Sequence, residues 1–463
     1  MKTKIAINGF GRIGRNAFKI AFDRQDLEIV AVNDLTDTKT LAHLLKHDSN
    51  YGTYDAEVAS DEQNIIVNGQ KIRVLAEKDP AALPWKDLGV DVVIESTGFF
   101  VDPEKAKAHI TAGAKKVVLS APAKGDGATT IVLGVNEDKL KLAGEIISNA
   151  SCTTNCITPV MAVLEQNFGI EKAMMTTVHS YTASQKLQDA PAKDLREARN
   201  AAENIVPTTT GASIAAAKAL PALENVFGGL SVRVPTPVVS LADFAVVTKK
   251  EVTVEEVNEV FKKAAAEPFY QGILDVTEEE LVSSDFLGNS HSSIVDLNLT
   301  NVVGGNLLKV VAWYDNEWGY SNRLVEVTAD VGKLLQGGEQ GEQPVESAET
   351  AAEQPQAEEA TTEASAPTEQ SATEPTAEQS APQPEPLLEA PAEANEEMLP
   401  PAPAQEEIPQ AFAPAPAPAE VPAEADTSMP AQPEVPTPAP EASQAAADPY
   451  TNPNGSIDGF HRM

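Results

Sequence analysis

The chain has 463 residues, a formal charge of −35 and two cysteines. Such acidity argues against general nucleic-acid binding, which needs clustered Lys and Arg to neutralise phosphates. Two thiols make no disulfide framework, and no apolar run approaches the ~20 residues of a membrane span, so neither a disulfide scaffold nor a membrane protein is expected. The charge is uneven along the chain. Residues 334–463 carry 25 Asp and Glu against one basic residue, Arg462, while residues 1–333 carry 44 acidic and 33 basic side chains. A body of ~330 residues is long enough for two domains. Met1-Lys2-Thr3-Lys4 leads straight into a strand with no signal-peptide core, and free thiols suit a reducing compartment, so a cytoplasmic location is expected.

In chain order, residues 4–8 form a short apolar strand. Gly9-Phe10-Gly11-Arg12-Ile13-Gly14 follows, then helical spacing over 15–24 and a second strand over 27–33. This is a strand-turn-helix-strand unit with Asp34 placed 20 residues after Gly14. The glycines permit a tight turn and close approach of a pyrophosphate to a helix N-terminus, and the carboxylate suits an adenosine ribose while repelling a 2′-phosphate. NAD is therefore the expected cofactor, although the same glycines would also serve a turn with no nucleotide. Strands are expected at 65–67, 90–95, 116–120 and 130–135. Their alternation with helices predicts an α/β fold with a parallel, doubly wound N-terminal sheet of the Rossmann type.

Ser151-Cys152-Thr153-Thr154-Asn155-Cys156 holds both thiols. Residues 144–148 read as a strand, Ser151 as a helix cap and 152–164 as a helix. Cys152 then lies in the first helical turn, where free N–H groups and the helix dipole favour a thiolate, the nucleophilic form. His179 ends a strand over 174–181, and a histidine near an activated cysteine suits an ion pair or a general base, though a satisfied core histidine is the ordinary alternative. A long polar segment fills 182–207. A helix over 212–220 and strands over 230–235, 238–249 and 307–314 predict an α+β second domain with a largely antiparallel sheet. Thr210-Gly211 before that helix and Arg233 in a strand are both able to bind phosphate. No Cys, His and carboxylate cluster has ligand spacing, so no metal is expected.

Residues 336–463 are rich in Ala, Pro, Glu, Gln and Thr, a composition that buries too little apolar surface to fold and predicts a disordered acidic tail. Its last stretch, 450–463, reads either as a short recognition motif or as the chain's end.

The segments IAINGFGRIG (5–14), SNASCTTNCITP (148–159), VHSYT (178–182), PTTTGA (207–212), VRVPTP (232–237) and WYDNEWGY (313–320) resemble glyceraldehyde-3-phosphate dehydrogenases. The resemblance implies Cys152 as nucleophile and His179 as base. It implies cofactor contacts at Gly9, Gly11, Arg12, Ile13, Gly14, Asp34, Lys78, Ser120 and Asn316, the last orienting the nicotinamide amide. It places Ser151, Thr153, Thr210 and Gly211 at the attacking phosphate, Thr182 and Arg233 at the substrate's own phosphate, and leaves open which of Arg196 and Arg199 reaches phosphate. The implied partners are D-glyceraldehyde 3-phosphate, inorganic phosphate and three further copies in a homotetramer. The implied domains are 1–150 for NAD, with a closing helix at 318–335 returning to it, and 151–317 for catalysis. Two alternatives are an erythrose-4-phosphate dehydrogenase and an added binding role for the tail.

Overall fold

The computed structural model describes residues 1–338, so the reading of the acidic tail lies outside the described residues. Two sheets, each with its own apolar core, carry the structure. In the first, strands run in the order Thr129–Thr130, Ile146–Ser148, Lys116–Leu119, Val92–Glu95, Thr3–Asn8, Leu27–Asn33, Gln70–Leu75, Asn64–Val67 and Val58–Ser60. The first seven are mutually parallel. Their strands read as near-continuous apolar runs because helices cover both faces. The helix Arg12–Phe22 and the long helix Trp318–Gly338 share one core with them, in which Ile5, Ile7 and Phe18 meet Leu324, Val327 and Val331. The chain therefore returns to its beginning before residue 338.

Two strand expectations need correction. Asn64–Val67 is antiparallel to Gln70–Leu75, not another member of the parallel set. The cause is local: Asn68 and Gly69 sit at φ 48° and 78°, the mirror-image turn that closes a tight hairpin. The run 130–135 pairs only at Thr129–Thr130; its apolar residues Ile131, Val132 and Leu133 are buried, yet Val132 N–H donates to Asn136 Oδ1 at 2.8 Å instead of to a ladder.

The second sheet runs Val206–Thr208, Phe227–Val234, Ile170–Ser180, Ser240–Thr248, Leu307–Tyr314, Ser293–Asp296 and Leu274–Thr277, with Asn301–Val303 on the flank of Leu307–Tyr314. It is largely antiparallel. The exceptions are Ile170–Ser180 beside Phe227–Val234 and Leu274–Thr277 beside Ser293–Asp296. The helix Cys152–Phe168 packs on this sheet through Cys156, Ile157, Val160 and Leu164 and outlasts the expected 152–164 by one turn.

Candidate active site

The cofactor side is made mostly of backbone. Gly9 has φ +92°, and a Cβ there would lie 2.6 Å from Thr97 N. A Cβ on Gly14 would lie 2.1 Å from Gly9 O, so the first helix turn rests directly on the strand end. Gly11, by contrast, faces open space at the N-terminus of the helix Arg12–Phe22. Free N–H groups there give an anion a seat. Asp34 follows the strand Leu27–Asn33; its Oδ2 accepts Phe10 N–H at 2.9 Å and its Oδ1 accepts Thr36 N–H at 3.0 Å. A cavity of about 560 Å³ opens between Gly11, Asp34, Lys78, Thr97 and Phe99. A cradle open at Gly11, an acceptor at its far end and an exposed aromatic ring fit an adenine dinucleotide.

Arg12 follows Gly11 as the first residue of the helix. Its guanidinium is bidentate on Glu317, with Nε to Oε1 at 3.0 Å and Nη2 to Oε2 at 2.5 Å, and reaches Asp48 Oδ2 at 2.6 Å through Nη1. Two carboxylates occupy the side chain. Ser120 directly follows the parallel strand Lys116–Leu119 and donates its N–H to Glu95 O at 2.9 Å.

The reaction side is assembled from distant segments. Ala150 holds φ +54°, Ser151 caps the helix by accepting Thr154 N–H at 3.0 Å, and Cys152 is the first helical residue. Asn155 Nδ2 donates back to Asn149 O at 2.8 Å and Ser151 O at 3.0 Å, which pins that turn. Cys152 Sγ lies 3.5 Å from His179 Nε2. Sheet register sets His179 opposite Arg233. His179 Nδ1 lies 2.7 Å from Ser180 O and 2.5 Å from Arg233 Nη1. Thr153 Oγ1 meets Tyr314 Oη at 3.0 Å, and the Tyr314 ring stands edge-on to the imidazole. Asn316 is held beside Ser180.

Burial and the Arg233 charge push His179 down, to about 3, so the ring is neutral at pH 7. Burial pushes the Cys152 thiol up, against the opposing pull of Arg233. Burial disfavours the charged form of each group, and a neutral imidazole beside the thiol suits a base that takes its proton. Cys156 is fully buried against Ser293 and pushed up to about 12, so it does not compete as a nucleophile.

The phosphate candidates are more scattered. Gly211 opens the helix Ala212–Ala219, and Thr210 Oγ1 accepts Ala212 N–H at 3.2 Å. Register brings the preceding strand next to Phe227–Val234, the strand of Arg233. Thr182 lies two residues beyond Ser180 and shares a 3.0 Å contact with Ser184 Oγ. Arg199 pairs with Asp189 at 2.8 Å, whereas the exposed Arg196 guanidinium has no side-chain partner among the described residues. Ser180, Ser240, Tyr314 and Asn155 were not singled out by sequence reasoning; no local spacing marks them, because their role comes from strand register.

A Rossmann-type sheet beside a mixed α+β unit, with a cysteine at a helix start facing a histidine, defines a nicotinamide-dependent dehydrogenase. Residues 3–103 match the family model for the glyceraldehyde 3-phosphate dehydrogenase NAD binding domain and residues 151–316 that for its C-terminal domain. The chain is 55% identical over 328 residues to glyceraldehyde-3-phosphate dehydrogenase 1 of Bacillus cereus, spanning 71% of this chain and 98% of that protein. It is 56% identical over 330 residues to the Geobacillus stearothermophilus glyceraldehyde-3-phosphate dehydrogenase, spanning 71% and 98%. The Streptomyces coelicolor enzyme is 54% identical over 337 residues, 72% of this chain and 100% of that one. The chain belongs to the glyceraldehyde-3-phosphate dehydrogenase family.

Proposed function

We propose that the chain oxidises D-glyceraldehyde 3-phosphate with NAD and inorganic phosphate to 1,3-bisphosphoglycerate, with Cys152 as nucleophile and His179 as base. The 3.5 Å approach of Cys152 Sγ to His179 Nε2, with Arg233 behind the ring, carries this reading. His179 Nε2 takes the thiol proton as Sγ adds to the aldehyde carbon and returns it to the carbonyl oxygen, which gives a thiohemiacetal and leaves His179 neutral again. His179 then accepts the hydroxyl proton as hydride leaves the same carbon, so a two-electron oxidation leaves a thioester on Cys152. Bound nicotinamide supplies the hydride acceptor. A phosphate oxygen attacks the thioester carbon, the C–S bond breaks, and the acyl phosphate departs. The Cys152 N–H at the helix start is suited to hold the developing oxyanion.

Two partners compete for His179 Nδ1. Ser180 O needs Nδ1–H, whereas Arg233 Nη1 needs a bare Nδ1. A guanidinium drawn onto the substrate's phosphate leaves the proton with Ser180 O and Nε2 bare, the form a base requires. In this reading residues 1–150 and 318–335 hold the cofactor and 151–317 carry catalysis. Gly9, Gly11, Arg12, Ile13, Gly14, Asp34, Lys78 and Ser120 hold NAD, with Asn316 at the nicotinamide. Thr182 and Arg233 take the substrate phosphate, and Ser151, Thr153, Thr210 and Gly211 the attacking one. The working form is a cytoplasmic homotetramer. The test is NADH production with glyceraldehyde 3-phosphate and with erythrose 4-phosphate, each with and without phosphate. Turnover of the first aldehyde should require phosphate; phosphate-independent turnover refutes the reading.

A further inference from the structure

Asn316 is buried at the junction between the strand Leu307–Tyr314 and the helix Trp318–Gly338. Its backbone is fixed from Asp315: Oδ1 accepts Tyr51 Oη–H at 2.8 Å, Glu317 N–H at 3.0 Å and Trp318 N–H at 2.8 Å, and Oδ2 accepts Gly288 N–H at 2.8 Å. Its side chain is fixed separately. Ser180 Oγ and Ser240 Oγ each donate to Asn316 Oδ1 at 2.9 Å. Ser240 Oγ in turn accepts Ser180 N–H at 3.1 Å, which commits its own proton to the amide. The other end, Nδ2, has no partner among the described residues. Both serines are buried. The residue before Ser240 is Val239 at φ +71°, a costly conformation for a β-branched side chain. Such strain persists only where the surroundings over-determine it.

We propose that Ser180 and Ser240 are positioning residues for the nicotinamide, locking the Asn316 amide so that only one of its ends faces the carboxamide. The inference rests on the reading of Asn316 as the nicotinamide-orienting residue. An asparagine free to flip offers a donor or an acceptor with similar ease; two hydroxyls on Oδ1 remove that choice. The carboxamide then fixes which ring face meets the thiohemiacetal carbon. Ser180 also links the two halves of the chemistry, since its carbonyl faces His179 Nδ1 at 2.7 Å while its hydroxyl holds Asn316.

The experiment uses the full chain with Ser180→Ala, Ser240→Ala, the double variant and Asn316→Ala. Calorimetry gives the affinity for NAD and for ADP-ribose, which lacks the nicotinamide. Deuterated aldehyde reports the nicotinamide face that receives the label. Each serine variant should weaken NAD about 3- to 10-fold, leave ADP-ribose unchanged, and send measurable label to the minor face. Unchanged NAD affinity and face selectivity in the double variant, with both lost in Asn316→Ala, overturns the serine clamp alone. If Asn316→Ala also changes neither, the underlying reading of Asn316 fails with it. Equal weakening of NAD and ADP-ribose marks a general packing role and likewise overturns the proposal.

Discussion

The cofactor side and the reaction side of this site are built by opposite means. The first draws its turn, helix N-terminus and acidic acceptor from residues 9–34, and most of its groups are backbone. The second brings Cys152, His179, Arg233, Ser240 and Asn316 together from five segments, and every decisive contact is made by a side chain. A contiguous backbone site tolerates surface change and is sensitive to its glycines. A register-built side-chain site is sensitive to single atoms.

The sharpest way to separate the two is Cys152→Ser. Removing the sulfur should lower kcat by about 10⁴-fold or more, since a hydroxyl beside a neutral imidazole is a far weaker nucleophile. NAD affinity, which the proposed function assigns to residues around Gly11 and Asp34, should stay unchanged in a calorimetric titration. Retained turnover, or a matching loss of NAD binding, would show that the sides are not independent.

The second probe is pH. Burial raises the Cys152 thiol, so its reactive fraction grows as pH rises. Iodoacetamide labelling of Cys152 in the free enzyme should keep accelerating through the alkaline range, with no plateau below neutrality. Arg233→Gln removes the one charge that pulls the thiol down and should slow labelling several-fold at pH 8. It should also let His179 move back up from about 3, because the same charge holds it down. Labelling that levels off near pH 5 would restore the preformed ion pair expected from the helix dipole. Cys156, pushed up to about 12, should stay unlabelled across the same range.

The same contrast explains what the sequence disclosed. The turn at Gly9, Gly11 and Gly14 and the place of Asp34 after the second strand were legible because they depend on neighbours along the chain, and both domain classes followed from how strands alternate with helices. Cys152 was legible through its cap, Ser151. The partners of the Arg12 side chain, Asp48 and Glu317, lie 36 and 305 residues away, and no local spacing marks them. A helix terminus alone points to a thiolate at Cys152, whereas burial, a property of the assembled fold, opposes that charge. The hairpin at Asn68-Gly69 was legible in principle and overlooked. Nothing in local pattern marks Ser180 and Ser240, whose value comes from meeting Asn316.

On the cofactor side, Asp34→Ala should raise the NADP-to-NAD ratio of kcat/KM by about 10- to 100-fold, the worth of one charge-assisted hydrogen bond. The substitution also frees Phe10 N–H and Thr36 N–H, so some loss with NAD itself is expected. The rate of Cys152 labelling should not move. An unchanged cofactor ratio would remove Asp34 from the ribose; a changed labelling rate would couple the two sides.

The smallest effect separates the two arginines of the polar loop. Arg199 is committed to Asp189 at 2.8 Å, both side chains being exposed, and an exposed pair of this kind contributes little to stability. Arg196 has no side-chain partner among the described residues and keeps its guanidinium available for an anion. Arg196→Ala should therefore raise KM for inorganic phosphate several-fold with kcat little changed, whereas Arg199→Ala should alter it by less than about twofold. Initial rates over a phosphate series at saturating aldehyde and NAD measure both. The reverse ranking would mean that Arg199 leaves Asp189 when phosphate binds, and that the reaction side recruits its last ligand by breaking an ion pair instead of using a free charge.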